Sequence, residues 1–196
     1  MRYGLILLLA TAGLLPCSPA RGAEDAKADP GAASPAPDNT RVIADLRTNV
    51  PKVFGNGTWQ GKVALSPSGL VIQGGKGADG KGEIGQDLDP KLDLSKERYV
   101  ELALGVGIMN EVPEVTVAFD DADEVQYSAR IRIDQVLPQQ PVWFRVRLTD
   151  FKLNNWQGDK ASRKIDWTRI SRWHLQGDWQ TAAPFNVIFI TLRTRQ

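Results

Sequence analysis

One histidine, His174, and one cysteine, Cys17, are all that the 196-residue chain offers for imidazole or thiol chemistry. A Cys–His couple would have to draw on Cys17, which lies in an N-terminal stretch with the features of a removable leader. A Ser-His-Asp triad would have to use His174, yet Trp173-His174-Leu175-Gln176 alternates like a strand and has no G-x-S-x-G elbow near it. The sequence therefore reads His174 as a strand histidine, facing solvent or held by a core hydrogen bond. One imidazole cannot build a His-rich metal site, and the residues imply no cofactor. Carboxylates remain. Glu101, Glu114, Asp120 and Glu124 lie on or beside strand-like runs, and glycoside hydrolysis needs two carboxyl groups about 5–9.5 Å apart across a cleft. Their spacing singles out no pair, so a solvated strand face explains them. The glycine run from Gly74 to Gly82 lacks the Lys-Ser/Thr of a phosphate loop and leads into a strand-like Glu83-Ile84-Gly85, which makes it a loop or hairpin.

Aromatic rings and guanidinium groups carry more information. Six tryptophans stand at Trp59, Trp143, Trp156, Trp167, Trp173 and Trp179. A sugar has apolar C–H faces and polar edges, so a flat ring beside bidentate hydrogen bonders suits it. Trp143, Arg145 and Arg147 alternate with Val142, Phe144, Val146 and Leu148; Gln126, Ser128, Arg130 and Arg132 alternate with Val125, Tyr127, Ala129, Ile131 and Ile133. If these two runs pair, one tryptophan and four arginines share a surface. An ordinary solvated face, with long arginine stems covering apolar area, would read the same way. Trp156 sits in the polar loop Lys152 to Asp159 as a platform or a lid, and Trp179 follows the Gly177-Asp178 turn. Trp167 and Trp173 accompany Ile165, Ile170 and Leu175, as core residues do.

The elements that must position these groups are strands. Val115, Val117 and Phe119 form another period-two row, as do Val100, Leu102, Leu104 and Val106; Phe185 to Arg193 is apolar on both faces and suits an interior strand. Gly55-Asn56-Gly57, Ser66-Pro67-Ser68-Gly69, Asp79-Gly80, Asp89-Pro90 and Asp120 to Asp123 are turn signals between runs. No helical period is sustained. The pattern predicts an all-β fold, two antiparallel sheets in a jelly-roll sandwich over residues 41–196, with at most one short helical turn.

Residues 1–22 have a basic start at Arg2, an apolar run from Leu5 to Leu15 and small residues after it, the marks of a secretory signal peptide. The run is too short to span roughly 30 Å of hydrocarbon. Export to the periplasm or the medium follows. Leu14-Leu15-Pro16-Cys17 also offers a lipid anchor at Cys17, against which Pro16 stands. Residues 23–40 contain no aromatic, Leu, Ile or Val and read as a disordered Ala/Pro-rich linker. Without Arg2 and Arg21 the 24 basic residues become 22 against 23 acidic ones. No basic excess points to nucleic acid or to a lipid surface.

Trp143 to Phe151 (W-F-R-V-R-L-T-D-F) resembles the "W-x-x-v-x-l-x-x-F" strand of galactose-binding-like β-sandwiches, which include carbohydrate-binding modules and the complex I intermediate-associated protein family. The loop Asn154 to Asp159, the segment Ile165 to Trp173 and the closing run Pro184 to Leu192 follow in the same order; Asp45-Leu46 and Ser68 to Ile72 suit the layout. The resemblance implies a non-catalytic binding module, carbohydrate-binding-like, with Trp143, Arg145, Arg130, Arg132 and Trp156 as ligand residues and a glycan as partner. An envelope protein-interaction or assembly factor on the same fold is the second reading, and a carboxylate-based glycan-active enzyme the third. Ile190 stands where many relatives place an Asp beside a structural calcium, so that site does not carry over.

Overall fold

Residues 39–56, 62–74, 81–177 and 185–196 are described by a computed structural model. The leader with Cys17, the linker up to residue 38, Trp59, the glycine run 75–80 and Trp179 lie outside these residues. The strands in chain order are β1 (Thr40–Asp45), β2 (Lys52–Asn56), β3 (Lys62–Ser66), β4 (Gly69–Gly74), β5 (Lys81–Leu92) and β6 (Tyr99–Val106). They continue with β7 (Glu114–Asp121), β8 (Gln126–Arg132), β9 (Val142–Arg147), β10 (Lys152–Leu153), β11 (Ile170–Gly177) and β12 (Phe185–Arg195).

They form two antiparallel sheets. The first runs β3-β4-β12-β6-β9, with β1 also lying against β12. β4 takes Phe185 to Phe189 of β12, and β1 takes Thr191 to Arg195. The second runs β10-β8-β7-β11-β5-β2. Alternation decides which face turns inward. Leu70, Ile72, Leu102, Leu104, Val187 and Phe189 of the first sheet are fully buried or nearly so, as are Ile84, Val115, Val117, Phe119, Trp173 and Leu175 of the second. Between these inner faces lies one apolar core, and each large side chain removed from water contributes about 1.5–3 kcal/mol. Trp167, Phe119 and Phe151 close part of it with ring centroids 5.7–6.0 Å apart. The β-sandwich expected from the period-two runs is present, and β12 is an interior strand flanked on both sides.

Three local expectations are corrected. The runs around Arg130 and Trp143 do not pair: β8 lies between β7 and β10 in the second sheet, whereas β9 pairs with β6 in the first. Residues 133–141 cross between the sheets, tied at one end by Ile133 N–H to Pro113 O (2.8 Å) and at the other by Gln139 N–H to Val106 O (2.9 Å). A period-two run looks alike whether its neighbour in sequence is across a hairpin or across the core, so alternation alone could not tell the two apart. Asp89-Pro90 is not a turn between strands but lies inside β5. There the ladder with β11 steps from Leu92↔Ile170 to Asp87↔Arg172, a bulge that accommodates a residue without an N–H donor. Finally there are two helical turns among the described residues rather than at most one, single 3₁₀ turns at Leu148–Asp150 and Gly158–Lys160. No helix among the described residues is long and apolar enough to cross a membrane.

Candidate functional site

On the outer face of the first sheet, three rows of side chains run across β9, β6 and β12. Arg147, Tyr99 and Arg195 make one row; Arg145, Glu101 and Arg193 the next; Trp143, Ala103 and Thr191 the third. Glu101 anchors them. It is 2% exposed, although it stands on an outer face, because two guanidinium groups cover it. Arg145 donates from Nε to Glu101 Oε1 at 2.8 Å, with its Nη2 at 2.7 Å from the same oxygen, and Arg193 Nε donates to Oε2 at 2.7 Å. Burial alone would push the Glu101 carboxyl up; the hydrogen bonds from Arg193 and Arg145 outweigh it and hold the group below its ordinary value.

The small Ala103 and Thr191 leave room beside them for the Trp143 indole, which lies against Arg193 with the guanidinium carbon 3.8 Å from the ring centroid. Exposure orders this stack. Glu101 is buried, the Arg193 side chain is 26% exposed above it, and Trp143 is 49% exposed. One ring face is thus backed by a cation fixed from below, and the remaining indole surface faces solvent. Tyr99 repeats the theme, with the Arg145 guanidinium 5.2 Å from its ring centroid.

The second sheet presents a different outer face. His174 on β11 is 2% exposed and sits between carboxylates of both neighbouring strands: its Nε2 is 2.9 Å from Asp120 Oδ2 on β7, and its Nδ1 is 3.1 Å from Glu83 Oε1 on β5. Burial by itself would lower the imidazole pKa. The hydrogen bonds and charges of Asp120 and Glu83 reverse that, and His174 is pushed up to about 9. Gln126 donates to Asp120 (2.7 Å) and Gln176 to Glu83 (2.8 Å), so the network bonds largely to itself. Asn154 hydrogen-bonds Gln126 and Ser128, and Gln157 accepts the Gln126 N–H at 2.7 Å. These bonds pin the 154–157 turn to β8 and leave Trp156 71% exposed.

The five residues singled out by sequence therefore divide. Trp143 and Arg145 belong to the first sheet; Arg130, Arg132 and Trp156 belong to the second or its flanking turn. Arg130 approaches Glu114 (3.4 Å), Arg132 bonds Asp134, and both arginine side chains are about three-quarters exposed. Of the five only Arg132 lines the open groove of about 490 Å³ between β8 and β9, which it shares with Val142 and Phe144. Of the carboxylates, Glu101 lies on the opposite outer face of the sandwich from Glu114 and Asp120, which prevents it from facing either across a cleft. Among the described residues no group of three or more His, Cys, Asp or Glu is placed to hold a metal ion. Sequence reasoning missed Arg193. Its signal was available: after Ile190 the closing run changes to Thr191, Arg193 and Arg195 alternating with Leu192 and Thr194, which marks an outward polar face.

No family model and no curated protein sequence matches the chain. Solved structures do. The family 11 carbohydrate-binding module of the cellulosomal cellulase Lic26A-Cel5E of Clostridium thermocellum superposes with a TM-score of 0.58 at 11% identity, over 80% of this chain and 94% of that one. A xylan-binding module of family 15 superposes at 0.51 with 7% identity, over 81% and 96% of the two chains. The agarase AgWH50C matches at 0.58 with 13% identity, over 80% of this chain but 24% of the enzyme. The chain has the jelly-roll β-sandwich fold that these carbohydrate-binding modules share.

Proposed function

We propose that the protein is an exported, non-catalytic glycan-binding module that works by adsorption through the outer face of its first sheet. The observation that carries this reading is Trp143, a half-exposed indole held in place by Arg193, which Glu101 in turn fixes. A ring that is already ordered loses little freedom when a sugar stacks on it, and Arg145 beside it offers polar contacts to the sugar's edges. The fold neighbours support the reading: one is described as a xylan-binding module, and a family 11 module is described in complex with a mixed-linked tetrasaccharide. The leader-like residues 1–22 support export.

Affinity electrophoresis through gels containing different polysaccharides tests it. Retention by at least one glycan is expected, lost in Trp143→Ala and kept in Trp156→Ala, both checked for native unfolding behaviour. Loss in Trp156→Ala alone would move the site to the second sheet, with Arg130 and Arg132 nearby. Absence of retention on every glycan, with a protein that co-purifies stably, would favour the assembly-factor reading. That reading draws on the exposed Ile108, Met109 and Leu137, whose loops are joined through the Gln139–Val106 bond.

A further inference from the structure

The outer face of the first sheet carries a surplus of positive charge that the chain as a whole does not share. Overall the sequence balances 24 basic against 23 acidic side chains. On β9, β6 and β12, however, strand alternation sets Arg145, Arg147 and Arg193 on one face beside a single carboxylate, Glu101. Asp45 at the rim is engaged by its own neighbour Arg47 at 2.7 Å and does not offset the surplus. Glu101 already serves both Arg145 and Arg193, so one cation of that trio stays uncompensated. Arg147 is exposed and makes no ion pair among the described residues. The second sheet differs: Arg172 and Lys52 bond Asp87, Arg130 meets Glu114, and His174 lies between two carboxylates.

A neutral sugar can accept hydrogen bonds from these guanidinium groups, but only an anionic one also neutralises their charge. Planar guanidinium forks match carboxylate and sulfate oxygens in two-point contacts. Trp143, Arg145 and Arg147 stand two residues apart along one strand, steps of about 6.6–6.8 Å. A glycan lying along β9 can stack one ring on Trp143 and bring charged substituents on the following rings to Arg145 and Arg147. From this we infer that the ligand class of this face is an anionic glycan, a chain bearing carboxylate or sulfate groups. The inference rests on the glycan-binding reading above and adds the charge of the ligand to it.

Gels containing polygalacturonate, chondroitin sulfate, mixed-linked β-glucan or xylan separate the possibilities. The expected result is retention by polygalacturonate, chondroitin sulfate or both, decreasing steeply as salt rises from about 0.1 to 1 M, because screening shortens from roughly 10 Å to 3 Å over that range. Arg147→Gln, an exposed position with no ion pair to lose, is expected to weaken that retention roughly fivefold without changing the unfolding midpoint. Trp143→Ala abolishes it. Polygalacturonate carries carboxylates alone and chondroitin sulfate carries both carboxylates and sulfates; salt-sensitive retention by either supports the inference. Retention by β-glucan or xylan alone, unchanged by salt and by Arg147→Gln, overturns the anionic class and leaves the glycan-binding reading standing. If no gel retains the protein, both fall. Capture of a single-stranded oligonucleotide with no glycan retained also overturns it, since the face would then be reading a phosphate backbone.

Discussion

His174 shows how one side chain acquires its character from residues far away in sequence. Alternation in Trp173-His174-Leu175 indicates that the imidazole points away from the apolar core, yet it is buried, because β5 and β7 bring Glu83 and Asp120 to either side of it. With its folded pKa at about 9, above an ordinary value of 6.5, the group binds its proton more tightly when folded. The stabilisation is therefore fully present below about pH 6.5 and is lost as pH rises through about 9. Its size is about 3 kcal/mol. Chemical unfolding at pH 6 and pH 9.5 is expected to show that loss, and His174→Gln is expected to flatten the profile, since no other histidine titrates in the window. An equal pH dependence in His174→Gln would place the effect elsewhere. Glu101 has the opposite sign. Held below its usual value, it contributes stability above about pH 4.5 that disappears as the medium becomes more acidic.

At the scale of elements, period-two alternation was enough to locate β6, β7, β8 and β9, and the doubly apolar run Phe185 to Arg193 located the interior strand β12. Partners were not legible. Strand pairing depends on where residues 133–141 take the chain, and two backbone hydrogen bonds to Pro113 and Val106 decide that. Turn residues were legible where the turn has only one geometric solution. Gly69 closes the β3–β4 hairpin with φ +142°, and a Cβ there would stand 2.4 Å from the carbonyl oxygen of Phe189 on β12. Both features exclude an L side chain, so Gly69→Ala is expected to lower stability by about 1–3 kcal/mol in a denaturant titration. Asp121 is a second junction. Its buried carboxylate accepts N–H bonds from Asp123 (2.8 Å), Val125 (3.0 Å) and Asp166 (2.9 Å), tying the β7–β8 turn to the loop before β11. Asp121→Ala leaves these donors without their acceptor and is expected to cost about 2–3 kcal/mol by the same measurement, with earlier amide exchange at Val125 and Asp166 than elsewhere.

For the whole molecule, a core without any thiol among the described residues must supply the stability, and the outer faces are left to bind. That division was only half visible beforehand: Trp143 and Arg145 could be assigned to an outward face from alternation, but their separation from Arg130 and Arg132 follows from the two-sheet topology. It also makes binding and folding separable by mutation. Phe119 is fully buried against Phe151 and Trp167, so Phe119→Ala removes an aromatic ring from the centre of that cluster and is expected to cost about 3–5 kcal/mol, a large share of the 5–15 kcal/mol typical of a domain. Trp143 lies on the opposite side of its strand from the core. Its removal forfeits the contact with Arg193, about 0.5–1 kcal/mol at a half-exposed position, while Glu101 keeps both of its arginines. Trp143→Ala is therefore expected to unfold within about 1 kcal/mol of the parent and yet to lose glycan retention. Phe119→Ala should do the converse below its lowered midpoint, retaining glycan as long as it remains folded. If both variants lost stability and retention in parallel, the outer face of the first sheet would be a covering of the core rather than a binding surface.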